Sequence, residues 1–449
     1  MRAIILALPL FALAAGAGAA PAVPSVAAAA VDPAALRSTI TRLVGFGTRH
    51  TLSDTNSPTR GIGAARRWAR GRFEALGGDC GGCLAIVTPE QSFTGERVPL
   101  PTVVQDVIAI QRGVSDPDRV VIISGHIDSR NSDPLNATRN APGANDDGSG
   151  VAAVLEAARV LSAHRFPATI VYAVLSGEEQ GLYGGKVLAD YARAQGWRVE
   201  AVLNNDIIGN THGQDGRVVD HEVRVFSEGV RVAETPAEAA VRRRGGGEMD
   251  SASRNLARYM SALAQAGIPE FRVRMILRPD RVGRGGDQLP MQEAGLTAVR
   301  ITEGDENYTR QHQDVREEGG VAYGDVLEGV DFAYLARVTR LNVLTLAALA
   351  SAPAPPGSVR LDGAVTADTT VSWAPAVGAS DYRVWWRETT DAQWSPAQSR
   401  ATGGAPSLTL KGINIDDFTF GVSAIAADGS ESPVEFPGPA GAFFQSPAS

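Results

Sequence analysis

Between residues 33 and 350 the chain alternates two hydrophobic rhythms. One is helical, with apolar positions three or four apart on a single face. In 59–75 (TRGIGAARRWARGRFEA), Ile62, Trp68 and Phe73 share such a stripe and arginines fill the other side. The second is a short unbroken run of Val, Ile, Leu and Ala, which suits a strand covered on both faces. Strands are expected over 103–112, 119–124, 169–176, 199–208, 271–277 and 298–302. Helices are expected over 149–162, 182–194 and 251–266, with a long closing helix over 325–350. Strands separated by helices predict an α/β layer fold around a largely parallel sheet.

The rhythm breaks at 351–357 (SAPAPPG), a Pro-rich linker. Beyond it the helical signal vanishes, and short β runs follow at 358–361, 369–373, 381–388, 407–410 and 418–426. Trp373 and Tyr382 suit the inner face of a small all-β sandwich. The motifs V-S-W-A-P (371–375), Y-R-V-W-W-R (382–387) and F-T-F-G-V-S-A-I (418–425) resemble a fibronectin type III domain over 358–449. This module reads as a spacer; contact with a wall polymer or peptide through Trp385, Trp386 or Trp394 is the sharper alternative.

Residues 1–20 read as a secretory signal, with Arg2, an apolar stretch from Ile4 to Ala15, and the small-residue site Ala17-Gly18-Ala19. Residues 21–33 read as an Ala/Pro/Val-rich leader. No later segment has the ~18 unbroken apolar residues of a membrane span, so a secreted or periplasmic product is expected. In such a compartment Cys80 and Cys83, the two cysteines of the chain, are expected to close a local disulfide. The 449 residues are 44% hydrophobic and 20% charged, too apolar for a disordered chain. A net charge of −8 leaves no electrostatic footprint for nucleic acid.

Candidate chemistry gathers where strands end, the place where open α/β sheets bind ligands. Gly125-His126-Ile127-Asp128 follows the run VVIIS. His126 is a candidate zinc ligand, and Asp128, two residues on, can orient it from behind. Asp146 and Asp147, in PGANDDGSG (142–150), open a helix, where capping is the plain alternative. Glu178 and Glu179 follow the apolar strand, and adjacent carboxylates point differently, so that one can bind metal and the other act as general base. Asp206 is flanked by apolar strand residues, where an unpaired carboxylate costs several kcal/mol. His312 lies in a polar loop. His164, His212 and His221 read as loop residues, as does the run Arg242-Arg243-Arg244 with its three following glycines. Asn136-Ala-Thr138 and Asn307-Tyr-Thr309 fit a glycosylation sequon.

Taken together, H-I-D (126–128), P-G-A-N-D-D-G-S-G (142–150), G-E-E-Q-G-L-Y-G (177–184) and the late His312 resemble the co-catalytic di-zinc aminopeptidase family. That family includes bacterial leucyl-type aminopeptidases, glutamate carboxypeptidase II and the glutaminyl cyclases; the resemblance runs over roughly residues 50–350. It implies a three-layer zinc-peptidase domain over 34–350 with a mixed, largely parallel central sheet. It implies two Zn²⁺: Asp146 bridging them, His126 and Asp206 completing one site, Glu179 and His312 the other. Glu178 would be the general base and later the proton donor, Asp128 would orient His126, and the Asp146–Asp147 peptide bond would be cis. The family's H-T-x-x-D reads His312-Gln313-Asp314 here, and its R-S-D-H reads Arg284-Gly285-Gly286-Asp287-Gln288. Where some relatives carry a hydroxyl for the oxyanion this chain has Gly283, which leaves Arg281, Arg284 or a zinc for that task.

The activity so implied is an exported zinc aminopeptidase acting on peptides with a free N-terminus. A free α-amine bound at one ion selects the terminal residue, while a water shared by two ions ionises near pH ~7. The alternatives on this fold are a one-zinc glutaminyl cyclase-like transferase, a carboxypeptidase-like dipeptidase, and a silent receptor or adhesion protein.

Overall fold

A computed structural model describes residues 22–438, and the expected signal sequence lies outside them. An eight-stranded sheet forms the centre, in the order Leu84–Val87, Val107–Gln111, Ala168–Leu175, Asp116–His126, Arg198–Asn205, Ala298–Glu303, Glu222–Phe226, Arg272–Ile276. The four middle strands run parallel. Antiparallel neighbours join on either side at Val107–Gln111 and Glu222–Phe226. All eight residues of Ala168–Leu175 and all six of Ala298–Glu303 are buried, as near-continuous apolar runs require.

Helices cover both faces. Leu36, Ile40, Phe73, Val151, Val154 and Leu344 belong to the larger apolar cluster on one side. Leu188 and Met291 pack with Ile122, Val171 and Val202 on the other. The expected fold class, a mixed and largely parallel sheet within helical layers plus a β domain, is the one observed. Helix Phe332–Ser351 is long and apolar enough to cross a membrane, but 83% of its apolar window is buried inside the protein.

Some elements differ from expectation. Residues 22–29, expected within a leader, form a helix, and Ala27, Ala28 and Val31 are buried in the main core. Their small apolar side chains allow close approach to the closing helix. That helix starts at Phe332 rather than 325, because the Asp331 carboxylate accepts the amides of Ala333 and Tyr334 as an N-cap. The expected strand 103–112 is interrupted at Asp106, whose Oδ1 accepts the Ser176 amide. Its first part pairs into a separate hairpin, Glu90–Gly95 with Val98–Gln105. The arginine run belongs to a helix, Pro236–Gly245, opened by a Thr235/Glu238 capping box.

After the linker, two three-stranded antiparallel sheets enclose Val371, Trp373, Tyr382, Val384, Phe420 and Val422. The rings of Trp373 and Tyr382 lie 5.4 Å apart, on the inner face as expected. The Cys80–Cys83 disulfide is formed.

Candidate metal centre

The carboxyl ends of the parallel strands converge on one cavity of about 460 Å³, lined by Asp146, Glu178, Glu179, Asp206 and His312 among others. His126 closes strand Asp116–His126, and Asp206 follows strand Arg198–Asn205. Glu178 and Glu179 open a single helical turn after Ala168–Leu175, entered through Gly177 at φ 74°. That left-handed position suits glycine. Asp147 caps helix Gly148–Leu161 through the Gly150 amide, while its other oxygen accepts the His126 amide at 2.9 Å. The two glycines beside these contacts have no room for a side chain: a Cβ on Gly125 would come within 2.6 Å of the Gly150 carbonyl carbon. Capping and site-building are therefore one arrangement, with Asp147 holding the main chain and Asp146 facing the cavity. The bond between them is cis.

Two triads share Asp146. Donor atoms of His126, Asp146 and Asp206 lie within 4.8 Å of one another, and so do those of Asp146, Glu179 and His312. His126 Nε2 stands 3.2 Å from Asp146 Oδ1 and 3.8 Å from Asp206 Oδ1. His312 Nε2 stands 3.0 Å from Asp146 Oδ2 and 3.1 Å from Glu179 Oε2. One carboxylate thus directs each of its oxygens to a different imidazole. His126 Nε2 and Glu179 Oε1 are buried with no hydrogen-bond partner, a costly state that a cation among these oxygen and nitrogen donors would relieve. The donor set fits zinc.

Charge is concentrated here. Burial opposes the imidazolium of His126, yet Asp128, Asp146 and Asp206 around it raise its pKa well above the ordinary value. His312 is raised to about 10 in the same way, against burial, by Glu179 and Asp146. Burial favours the neutral form of Asp146 too, but the two histidines pull it well down. Glu178 is pushed well up, first by burial and then by Asp206 and Glu179 despite His126. A carboxyl group poised above its usual range suits proton transfer.

Residues 106–317 match the model of Peptidase family M28. A probable zinc metalloprotease of Leptosphaeria maculans is 40% identical over 410 residues, covering 90% of this chain and 94% of the relative.

The chain belongs to peptidase family M28.

Another probable zinc metalloprotease, from Pyricularia oryzae, is 40% identical and covers 91% of this chain and 83% of its own. Among solved structures, LapB of Legionella pneumophila superposes with a TM-score of 0.53 at 18% identity, over 72% of this chain and 74% of that one. The LapA aminopeptidase of the same organism gives 0.53 at 19%, over 73% and 74%. At such identities the likeness is one of fold.

In this M28 chain the supports behind the triads are largely ones the sequence pattern did not single out. Arg300, fully buried on strand Ala298–Glu303, pairs with Asp206 Oδ2 and leaves Oδ1 toward His126. A lone arginine inside the buried run AVRITE was the available signal. Arg49 is buried and donates to the main-chain oxygens of Ile127, Pro142 and Gly143, tying together both loops that carry ligands. Asp325 accepts the amides of Asn145 and Asp146. Asp128 was expected to orient His126 through its carboxylate, but its carboxylate is turned to other partners. Its oxygens accept the Glu178 and Glu179 amides at 3.3 and 3.1 Å, whereas His126 Nδ1 lies nearer its carbonyl, 3.1 Å, than its carboxylate, 3.6 Å. Asp314 pairs with Arg139 at 2.6 Å. Asp287 accepts the Gly185 amide, and Gln288 donates to Asp280 and Pro279. Arg281 and Arg284 line the cavity, whereas His164, His212 and His221 do not.

Proposed function

We propose that this M28 peptidase is an exported aminopeptidase working with two zinc ions. The observation that carries the reading is the sharing of Asp146 between two complete triads. His126, Asp206 and one oxygen of Asp146 would hold one ion; Glu179, His312 and the other oxygen would hold the second. Zinc so placed supplies Lewis acidity toward a peptide carbonyl and eases the ionisation of water. Glu178 lines the same cavity, adjoins ligand Glu179, and takes the proton from the attacking water at its carboxylate. It then returns that proton to the leaving amine nitrogen. Asp128 fixes where Glu178 stands through the main chain. The Cys80–Cys83 disulfide supports an oxidising compartment, and with it export.

The test compares peptides with free and acetylated N-termini, using protein stripped by a chelator and then reloaded with zinc. Cleavage only of the free series, lost on stripping and restored by zinc at two ions per chain, is the expected result. Cleavage from the other end assigns a carboxypeptidase, and cyclisation of N-terminal glutamine with one ion assigns a cyclase. Full activity after stripping removes the metal reading altogether.

A further inference from the structure

We propose that the cavity takes a peptide carrying a carboxylate beside the scissile bond, held by Arg97 and Arg130. This deepens the peptidase reading of the same site and rests on it. Arg97, Arg130, Arg281 and Arg284 all line the cavity, whereas Leu182 is the one large apolar side chain among its lining residues. Pockets that select apolar side chains are walled by hydrophobic and aromatic groups; this one is walled by charged groups, the four guanidiniums beside the triad carboxylates, Glu178 and, at the hairpin turn, Glu96.

Two of the four arginines are already engaged. Arg281 donates to Asp280, Glu306 and the Gly285 carbonyl. Arg284 donates to Glu306 and Gln311. Arg97, in the turn of the hairpin, donates from Nη1 to the main-chain oxygen of Glu179 at 2.9 Å. Arg130, in the loop after His126, donates from Nε to the Asn131 carbonyl at 3.3 Å, and the same Nε stands 3.9 Å from Glu179 Oε2. The two therefore meet at one residue, and the carboxylate of that residue belongs to a metal triad. With Glu179 committed to a cation, neither arginine has another carboxylate partner among the described residues. A substrate carboxylate supplies one, since the planar guanidinium fork pairs with it in two parallel hydrogen bonds. The group has two sources: the free C-terminus of a dipeptide, or an Asp or Glu side chain next to the bond.

Calorimetry on the zinc-loaded protein tests this with peptides whose scissile amide is replaced by a CH₂–NH link, so that nothing turns over. Four analogues suffice: Ala-Glu-amide, Ala-Gln-amide, Ala-Ala with a free C-terminus, and Ala-Ala-amide. A carboxylate-bearing analogue is expected to bind about tenfold tighter than its neutral counterpart, the worth of one charge-assisted hydrogen bond. A gap in the Glu/Gln pair assigns the side chain; a gap in the free-acid/amide pair assigns the C-terminus. Arg97→Met, at an exposed turn, and Arg130→Met are expected to close the gap. Equal binding of all four, binding of none, or a gap that survives the double variant overturns the proposal. Failure of the peptidase reading is a different result: unmodified peptides stay intact although the analogues bind with the gap.

Discussion

Glu178 and Glu179 are neighbours in the chain with divergent surroundings. Glu179 stands 3.1 Å from His312, while Glu178 faces the cavity with its proton affinity raised. Glu178→Gln is therefore expected to lower kcat by about 10²–10⁴-fold, the usual share of a general base, with zinc content unchanged by elemental analysis. Asp146→Ala should instead lose zinc in that measurement, since both triads depend on it. Arg300 makes a different prediction. Its removal takes from buried Asp206 its nearest and strongest counter-charge, leaving only the more distant His126, so Arg300→Met should destabilise the zinc-free protein by about 3 kcal/mol in urea unfolding. His126, Glu179 and Asp206 were readable because each follows or closes an apolar run, where a polar side chain needs a reason, whereas Asp146 and His312 stand in polar or Gly-rich loops and were readable only through the set of motifs taken together. Arg49 and Asp325 were not, because their partners are main-chain groups of loops distant in sequence. No spacing rule encodes such contacts.

At the scale of elements, the central strands were legible because burial on both faces leaves a short apolar run, and its length and Val/Ile content set it apart from a buried helix. The hairpin Glu90–Gly95/Val98–Gln105 was legible only at its end, within 103–105, because it is largely exposed, its first strand is mostly polar, and Pro99 and Pro101 break the apolar run of its second. The late start of helix Phe332–Ser351 follows from local capping that hydrophobic periodicity does not see. Another local feature lies near the end of the described chain. Glu435 exchanges both main-chain hydrogen bonds with Val422, at 2.8 and 2.9 Å. Its carboxyl group is pushed up to about 7 by burial, with Glu200 adding to the effect. The fold thus favours the protonated form. Its contribution to stability is complete below the ordinary value of 4.5 and is lost as pH rises through about 7. Glu435→Gln stays neutral throughout. Its melting temperature should exceed that of the parent at about pH 8, and the two should coincide at about pH 4.

Across the whole molecule, the sequence suggested two units joined by a linker, and the structure adds how firmly they meet. Trp394, weighed as a binding residue, donates from Nε1 to Asn255 at 2.8 Å and lies 5.9 Å from the Phe436 ring. Tyr259 donates to the Glu431 carbonyl at 3.0 Å, and Arg258 to that of Ala392 at 2.7 Å. Arg119, at the start of a central strand, reaches the Ala352 carbonyl at 2.6 Å. Asp250 is buried between Arg258 of the peptidase unit and Arg387 of the β module. Asp250→Ala leaves two guanidinium groups in that interface without their carboxylate. It should cost about 3–5 kcal/mol in the same unfolding assay.

The buried Asp250 has a further consequence for heat. Pulling the two units apart would split Arg387 from the Asp250–Arg258 pair and give up the hydrogen bonds of Trp394, Tyr259 and Arg258 across the seam, so partial melting gains nothing over complete melting. Scanning calorimetry should therefore record a single endotherm, its calorimetric and van't Hoff enthalpies equal, from a chain that reads as two domains.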